Sequence, residues 1–291
     1  MLIESITWDV SPWLVKFSDN FGIRWYGVLF ASGFLFGYII FNRYFKKDGF
    51  TTELLDKLTI YMAVGTIVGA RLGHCFFYDF EYFSKHPLEI LMVWKGGLAS
   101  HGGGIGILIA LYLFVRKTKI SFLWLIDRIA VVAALAGFFI RMGNLMNSEI
   151  YGRPTTLPWG FSFIRDTSRV NFYDPQTGEL IGQHLPCHPT QLYEGLSYLV
   201  IFLVLFWLIR KYAYRIKEGV VFSWFLITVF TARFLIEYVK FEQSDFEVNM
   251  ISKLHVNMGQ ALSVPFILVG IILLLVIRKK GRYTGSGGEA T

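Results

Sequence analysis

The chain has 291 residues, 54% of them hydrophobic and only 17% charged, with a formal net charge of +7 and a mean hydropathy of +0.48. That balance excludes an ordinary soluble domain and points to a protein that crosses a membrane several times. The basic excess calls for no nucleic acid, because most of it falls in short loops between apolar segments.

Residues 1–24, with Trp8, Pro12 and Trp13, read as an interfacial arm. The first ten residues carry no basic stretch and no small-residue cleavage site, so no removable signal peptide is expected. Seven apolar segments near the ~20 residues needed to cross a bilayer then follow. They run over about 25–42, 58–78, 98–115, 122–142, 191–209, 220–238 and 259–277. Four transmembrane helices therefore occupy 25–145, an extracytoplasmic head 146–190, three more helices 191–277, and a tail 278–291 that ends in the disordered-type run Gly285–Thr291. Within the third segment, Gly102–Gly106 follows no predicted strand and marks close helix packing or a backbone site. Arg116–Ser121 is a tight basic turn. In the head, alternating runs on either side of Asp174-Pro-Gln-Thr-Gly178 predict a β-hairpin.

Orientation follows from Lys and Arg. The loops 43–57, 116–121 and 210–219, with the tail after 277, hold fifteen of them; the alternate segments hold nine. The expected fold is an all-α polytopic membrane protein of seven transmembrane helices, N-terminus outside and C-terminus inside, with a small mixed α/β head. Cys75 and Cys187 read as unpaired structural thiols; a bridge between them is conceivable but cannot be inferred. No His or Cys spacing matches a metal site, so neither metal nor cofactor is expected.

Polar groups inside the spans sort by depth. Arg71 lies thirteen residues past Leu58, and Arg233 thirteen past Val220, about 20 Å at the helical rise. Arg141 lies at the far end of its span. Under the predicted topology all three fall in the outer half of the bilayer. Tyr26, His101, Glu194 and Gln260 open their spans at the same level, and His74 and Glu237 close theirs. Intramembrane charges are costly and mark function or pairing. Arginines suit phosphate, which guanidinium grips through two parallel hydrogen bonds. Arginines facing one cavity would repel one another unless an anion or Glu149, Glu194 and Glu237 lay between them. His101 is the nearby group whose ordinary pKa suits proton transfer near neutrality.

The segments Trp25-Tyr-Gly27, Gly69-Ala-Arg-Leu-Gly73, Trp94–Gly103, Arg141–Gly152, His188-Pro-Thr-Gln-Leu-Tyr-Glu194, Arg233-Phe-Leu-Ile-Glu237 and Met258–Pro265 recur in order along nearly the whole chain. Together they resemble the bacterial phosphatidylglycerol–prolipoprotein diacylglyceryl transferases. The chain departs from that pattern at Ile140, usually glycine, at Leu145, usually phenylalanine, at Val229, often tyrosine, and at Lys240, commonly arginine.

The resemblance implies an enzyme of the bacterial inner membrane whose partners are phosphatidylglycerol, other membrane lipids and the signal peptide of a preprolipoprotein. A lipobox cysteine thiol attacks the glyceryl carbon that bears the phosphate, a thioether forms and glycerol phosphate leaves. It implies Arg141 and Arg233 on the phosphate, His101 as candidate base, and Tyr26, Asn144, Asn147 and Glu149 on the head group. Gly152 would permit a backbone turn beneath them, with Arg71, Glu194 and Glu237 in support. The main alternative is a transporter or channel for an anionic solute, against which the inner halves of the spans offer no polar exit path. A protease using Cys75 beside His74 is geometrically poor, because neighbours on a helix point apart.

Overall fold

A long helix occupies each of the seven apolar segments in the computed structural model, which describes residues 5–18, 21–93, 96–97, 99–166, 171–173, 180–212, 215–241 and 257–279. In chain order the described elements are β1 (Ile6–Trp8), β2 (Trp13–Ser18), β3 (Phe21–Arg24), α1 (Trp25–Lys47), α2 (Thr52–Phe77) and the short α3 (Phe80–Lys85). Then come α4 (Ser100–Thr118), α5 (Phe122–Met146), β4 (Phe161–Phe163), β5 (Asn171–Tyr173), β6 (Leu180–Gln183), α6 (Thr190–Tyr212), α7 (Val220–Ile236) and α8 (Met258–Lys279).

Several helices outrun their apolar cores because polar residues cap them. The Thr51 hydroxyl accepts from the amide of Leu54 at 3.3 Å, and Glu53 sits in the first turn of α2. Lys46 and Lys47 end α1, where cations suit the helix dipole. Six of the helices, α7 with its following single turn included, are long and apolar enough to cross a membrane, so this is a multi-pass membrane protein. The exception is α4, whose glycines and His101 dilute one end and whose Arg116 and Lys117 dilute the other.

The chain forms two compact units, residues 1–37 with 127–291, and residues 38–126. In the second, α2 and α4 meet backbone to backbone. A Cβ added at Gly65 would lie 2.7 Å from the Gly106 carbonyl, and one at Gly73 would lie 2.7 Å from the Gly102 Cα. Small residues at such a crossing give van der Waals contact that lipid cannot match. At the opposite end of this pair, Phe45 is wholly buried against Phe50 and Trp124.

In the larger unit, the first half of α1 lies on α5: Gly33 faces Ala136, and Phe36 stacks on Phe139 with centroids 5.6 Å apart. The packing of α7 and α8 runs through Gly270 and a Phe230–Phe266 stack at 4.3 Å. Buried Asp127, at the start of α5's share of this unit, accepts from the amides of Gly219 and Phe222 at 2.8 and 2.7 Å, and so caps α7 from another helix.

Among the described residues, the strands form three two-stranded sheets. The antiparallel pair β5–β6 is the expected hairpin, though its turn, like the tail 285–291, lies outside the described residues. The N-terminal arm is tied into the fold by strand pairing. Its β1 pairs in parallel with β4 (Ile6 with Phe161, Trp8 with Phe163), while Trp8 Nε1 donates to the Leu145 carbonyl at 3.0 Å. Trp8, Leu145, Tyr151, Phe161, Phe163, Phe172 and Cys187 form a small core at the Arg141 end of α5.

Candidate active site

Arg141 and Asn144 are three residues apart on the last turn of α5, which puts them on one face; Arg141 Nη1 donates to Asn144 Oδ1 at 3.3 Å. The helix stops at Met146, and the chain turns sharply through Ser148 (φ 55°) and Ile150 (φ 59°). A β-branched residue in the left-handed region costs on the order of 1–3 kcal/mol and persists only when its neighbours hold it. Here Gln191 donates to the Glu149 carbonyl at 2.7 Å and Thr190 to the Ile150 carbonyl at 2.9 Å. The first turn of α6 thus clamps the bend, which aims Glu149 back at the helix end. Glu149 Oε1 accepts from Asn144 at 2.8 Å and from Asn147 at 3.2 Å.

Tyr26, in the first turn of α1, completes this wall. Its ring lies over Gly143, where a Cβ would come within 2.7 Å of Cδ2, and it feels the charges of both Glu149 and Arg141. Gly152 works differently from a turn glycine. A side chain there would strike the Val239 carbonyl and come within 2.7 Å of Thr190. The strand-like crossing it permits is tied by Gly152 N to His188 O at 2.8 Å and by Arg153 N to Val239 O at 2.9 Å.

Behind Arg141 lies a buried ionic cluster. Arg141 Nε meets Glu194 Oε2, and the other oxygen of Glu194 takes Lys240 Nζ at 2.6 Å. Lys240 also reaches Glu237 Oε2 at 3.2 Å. Glu194, Lys240 and Glu237 are 0%, 3% and 4% exposed, so each depends on its partners for charge compensation. Tyr198, one turn beyond Glu194, lies within electrostatic reach of Arg141. Arg233 is near enough to act on Glu194 and Tyr198. The repulsion among cations foreseen from sequence is therefore met by carboxylates interleaved with them. Lys240 and Tyr198 were not among the site residues expected from sequence. The signal for Lys240 was its spacing of three from Glu237, and for Tyr198 its spacing of four from Glu194.

Further along, Trp159 Nε1 donates to the Tyr193 hydroxyl at 2.9 Å, and that hydroxyl lies 3.2 Å from His188 Nδ1; burial lowers the His188 pKa below the ordinary imidazole value.

The remaining two expected residues lie in the 38–126 unit. Arg71 is buried and spends its guanidinium on main-chain carbonyls: Ile90 at 2.9 Å, Glu89 and Gly96 at 2.5 Å, Gly97 at 3.3 Å. Its plane also lies 4.8 Å from the Phe83 ring. It staples the segment that leads into α4. His101 is exposed in the first turn of α4, its Nδ1 3.5 Å from the Tyr78 hydroxyl.

The first unit therefore gathers Tyr26, Arg141, Asn144, Asn147, Glu149, Glu194, Arg233 and Glu237 around one helix end, with Gly152 as its strap. A guanidinium anchored from behind and flanked by amide and phenol groups suits a planar or tetrahedral oxyanion.

A family model described as prolipoprotein diacylglyceryl transferase matches residues 12–276. A protein of Tolumonas auensis named phosphatidylglycerol–prolipoprotein diacylglyceryl transferase is 46% identical over 275 residues, covering 94% of this chain and 98% of its own. Proteins of the same name from Porphyromonas gingivalis and Chloroherpeton thalassium are 44% and 41% identical, covering 93% and 92% of this chain and 94% and 93% of their own.

Proposed function

The chain belongs to the prolipoprotein diacylglyceryl transferase family and is a transferase of lipoprotein maturation, and on that premise we propose how its residues divide the reaction. The substrates are phosphatidylglycerol and the signal peptide of a preprolipoprotein. The lipobox cysteine sulfur attacks the glyceryl carbon bonded to the phosphate oxygen. A carbon–sulfur bond forms, the carbon–oxygen bond breaks with its electron pair on oxygen, and glycerol phosphate leaves.

Two needs follow. The thiol must surrender its proton, since thiolate is the nucleophile, and His101 takes it. The departing phosphate gains negative charge as the bond breaks, and positioned cations lower that barrier. Arg141 and Arg233 supply them. Tyr26, Asn144, Asn147 and Glu149 hold the head group's hydroxyls and orient the ester. Glu194 and Glu237 fix the arginines from behind, Gly152 holds the loop against α6, and Arg71 holds the approach to His101.

The topology belongs to the same proposal. The helix α4 is the seventh span, about 28 Å long at the helical rise, with Gly102 and Gly106 packed against α2. The N-terminus faces outside, and the site opens to the outer leaflet of the bacterial inner membrane, where lipid and translocated signal peptide meet.

The observation that carries the reading is Arg141 held by Glu194 from behind and by Asn144 at its side, within one turn of the Glu149 bend. The test incubates purified protein in phosphatidylglycerol vesicles with a lipobox peptide. A diacylglyceryl mass gain on the cysteine, with stoichiometric release of glycerol phosphate, supports it. Peptide recovered unmodified under conditions that preserve the folded protein contradicts it.

A further inference from the structure

Lys240 has no part in the transfer as described, yet it is buried to 3% exposure between two carboxylates. We propose that Lys240 is a positioning residue for the phosphate site: by holding one oxygen of Glu194 it prevents that carboxylate from closing a two-pronged pair with Arg141. The inference rests on the reading of Arg141 as a phosphate ligand.

Three observations lead to it. First, the two oxygens of Glu194 are divided, Oε2 to Arg141 Nε and Oε1 to Lys240 Nζ at 2.6 Å. A buried guanidinium and carboxylate left to themselves favour two parallel hydrogen bonds, which would spend an Nη group as well as Nε. An ammonium on the second oxygen offers a charge-assisted bond of comparable strength, so Glu194 stays on Nε alone. Nη1 is then turned toward Asn144, the wall on which the phosphate is proposed to sit.

Second, Lys240 is itself held. Glu237 takes its ammonium at 3.2 Å, and Gly259 lies directly against the Glu237 carboxylate. Its backbone bridges to Gly152, beside the Arg153–Val239 hydrogen bond of 2.9 Å. The strap that Gly152 permits thus sets the place of the ammonium.

Third, the local charges need it. Arg141, Arg233 and Lys240 balance Glu194, Glu237 and Glu149, the last of which is held by the neutral amides of Asn144 and Asn147. Without Lys240 the remaining five groups carry a net negative charge, which repels a phosphodiester.

The test uses full-length protein in vesicles, comparing wild type with Lys240→Met, Lys240→Arg and the double variant Lys240→Met/Glu194→Gln. It reads kcat, KM for phosphatidylglycerol and KM for a lipobox peptide, together with a direct titration of phosphatidylglycerol binding. Lys240→Met is expected to raise the lipid KM and weaken lipid binding about tenfold or more, with the peptide KM unchanged. Lys240→Arg keeps lipid binding close to wild type, and the double variant recovers much of what Lys240→Met loses, because the competing carboxylate charge is gone. Equal loss for both substrates, or no recovery in the double variant, overturns the inference. Should Lys240→Met not fold, a double variant that folds and binds lipid far more weakly than Lys240→Arg overturns it, and comparable binding supports it. A wild type that binds the lipid and transfers nothing refutes the transferase chemistry instead, while the titration still decides the role of Lys240.

Discussion

Arg141 is held from behind by Glu194 and from the side by Asn144, so its charge cannot be swapped for another without loss of direction. Lysine there would keep the charge and lose the planar fork. Arg141→Lys is therefore expected to lower kcat/KM by roughly 30- to 100-fold, on the order of 2–3 kcal/mol of lost transition-state binding. Kinetics at saturating peptide check it, and near-wild-type turnover would count against the phosphate role. For His101 the expectation is different in kind. If it takes the thiol proton, His101→Gln lowers kcat by about 10²- to 10⁴-fold with little change in KM for either substrate. Turnover near wild type in the variant would assign the proton to another group. At this scale the sequence spoke clearly wherever a charge stood inside an apolar run, as with Arg141, Glu194 and Glu237. Lys240 was noted only as a departure from an arginine common in the family, and its place between Glu194 and Glu237 was not read. Arg71 was equally visible as a buried charge, but its partners are four main-chain carbonyls, which no pattern of side chains could announce.

Among the elements, the α2–α4 pair carries the sharpest packing claim. The Cβ of an alanine at Gly102 would meet the Gly69 carbonyl, whereas one at Gly104 would find open space. Gly102→Ala is expected to lower the midpoint of thermal unfolding in detergent by several degrees. Gly104→Ala should leave it unchanged or raise it slightly, since alanine favours helix over glycine by about 1 kcal/mol. A similar response at both positions would deny the backbone contact. At the other end of the unit that holds Arg141, Asp127→Ala removes the acceptor for two amides of the α7 start. A loss of about 1–2 kcal/mol in unfolding free energy is expected. Six of the helices were legible because apolar runs near 20 residues have few other uses. Their ends were less so, because caps such as Thr51 extend a helix through polar sequence. The pairing of β1 with β4 could not be read at all: Ile6 and Phe161 are joined only by the tertiary fold, and a three-residue strand leaves no periodicity to find.

For the whole molecule, the proposed topology and chemistry can be separated. Cys75 and Cys187 are both buried, so a single introduced cysteine reports cleanly. A membrane-impermeant maleimide should label Ile164→Cys in intact cells and Lys119→Cys only after permeabilisation; the reverse pattern would invert the assignment made from Lys and Arg. The proposed transfer is displacement at the glyceryl carbon, with the phosphate held by Arg141 and Arg233 as it leaves. Phosphatidylglycerol carrying heavy oxygen at the bridge between the diacylglyceryl carbon and phosphorus tests it most directly. Incubated with the protein and a lipobox peptide, it should yield a diacylglyceryl thioether without the label and glycerol phosphate that retains it. Label remaining on a diacylglycerol product, with the peptide unmodified, would contradict the account.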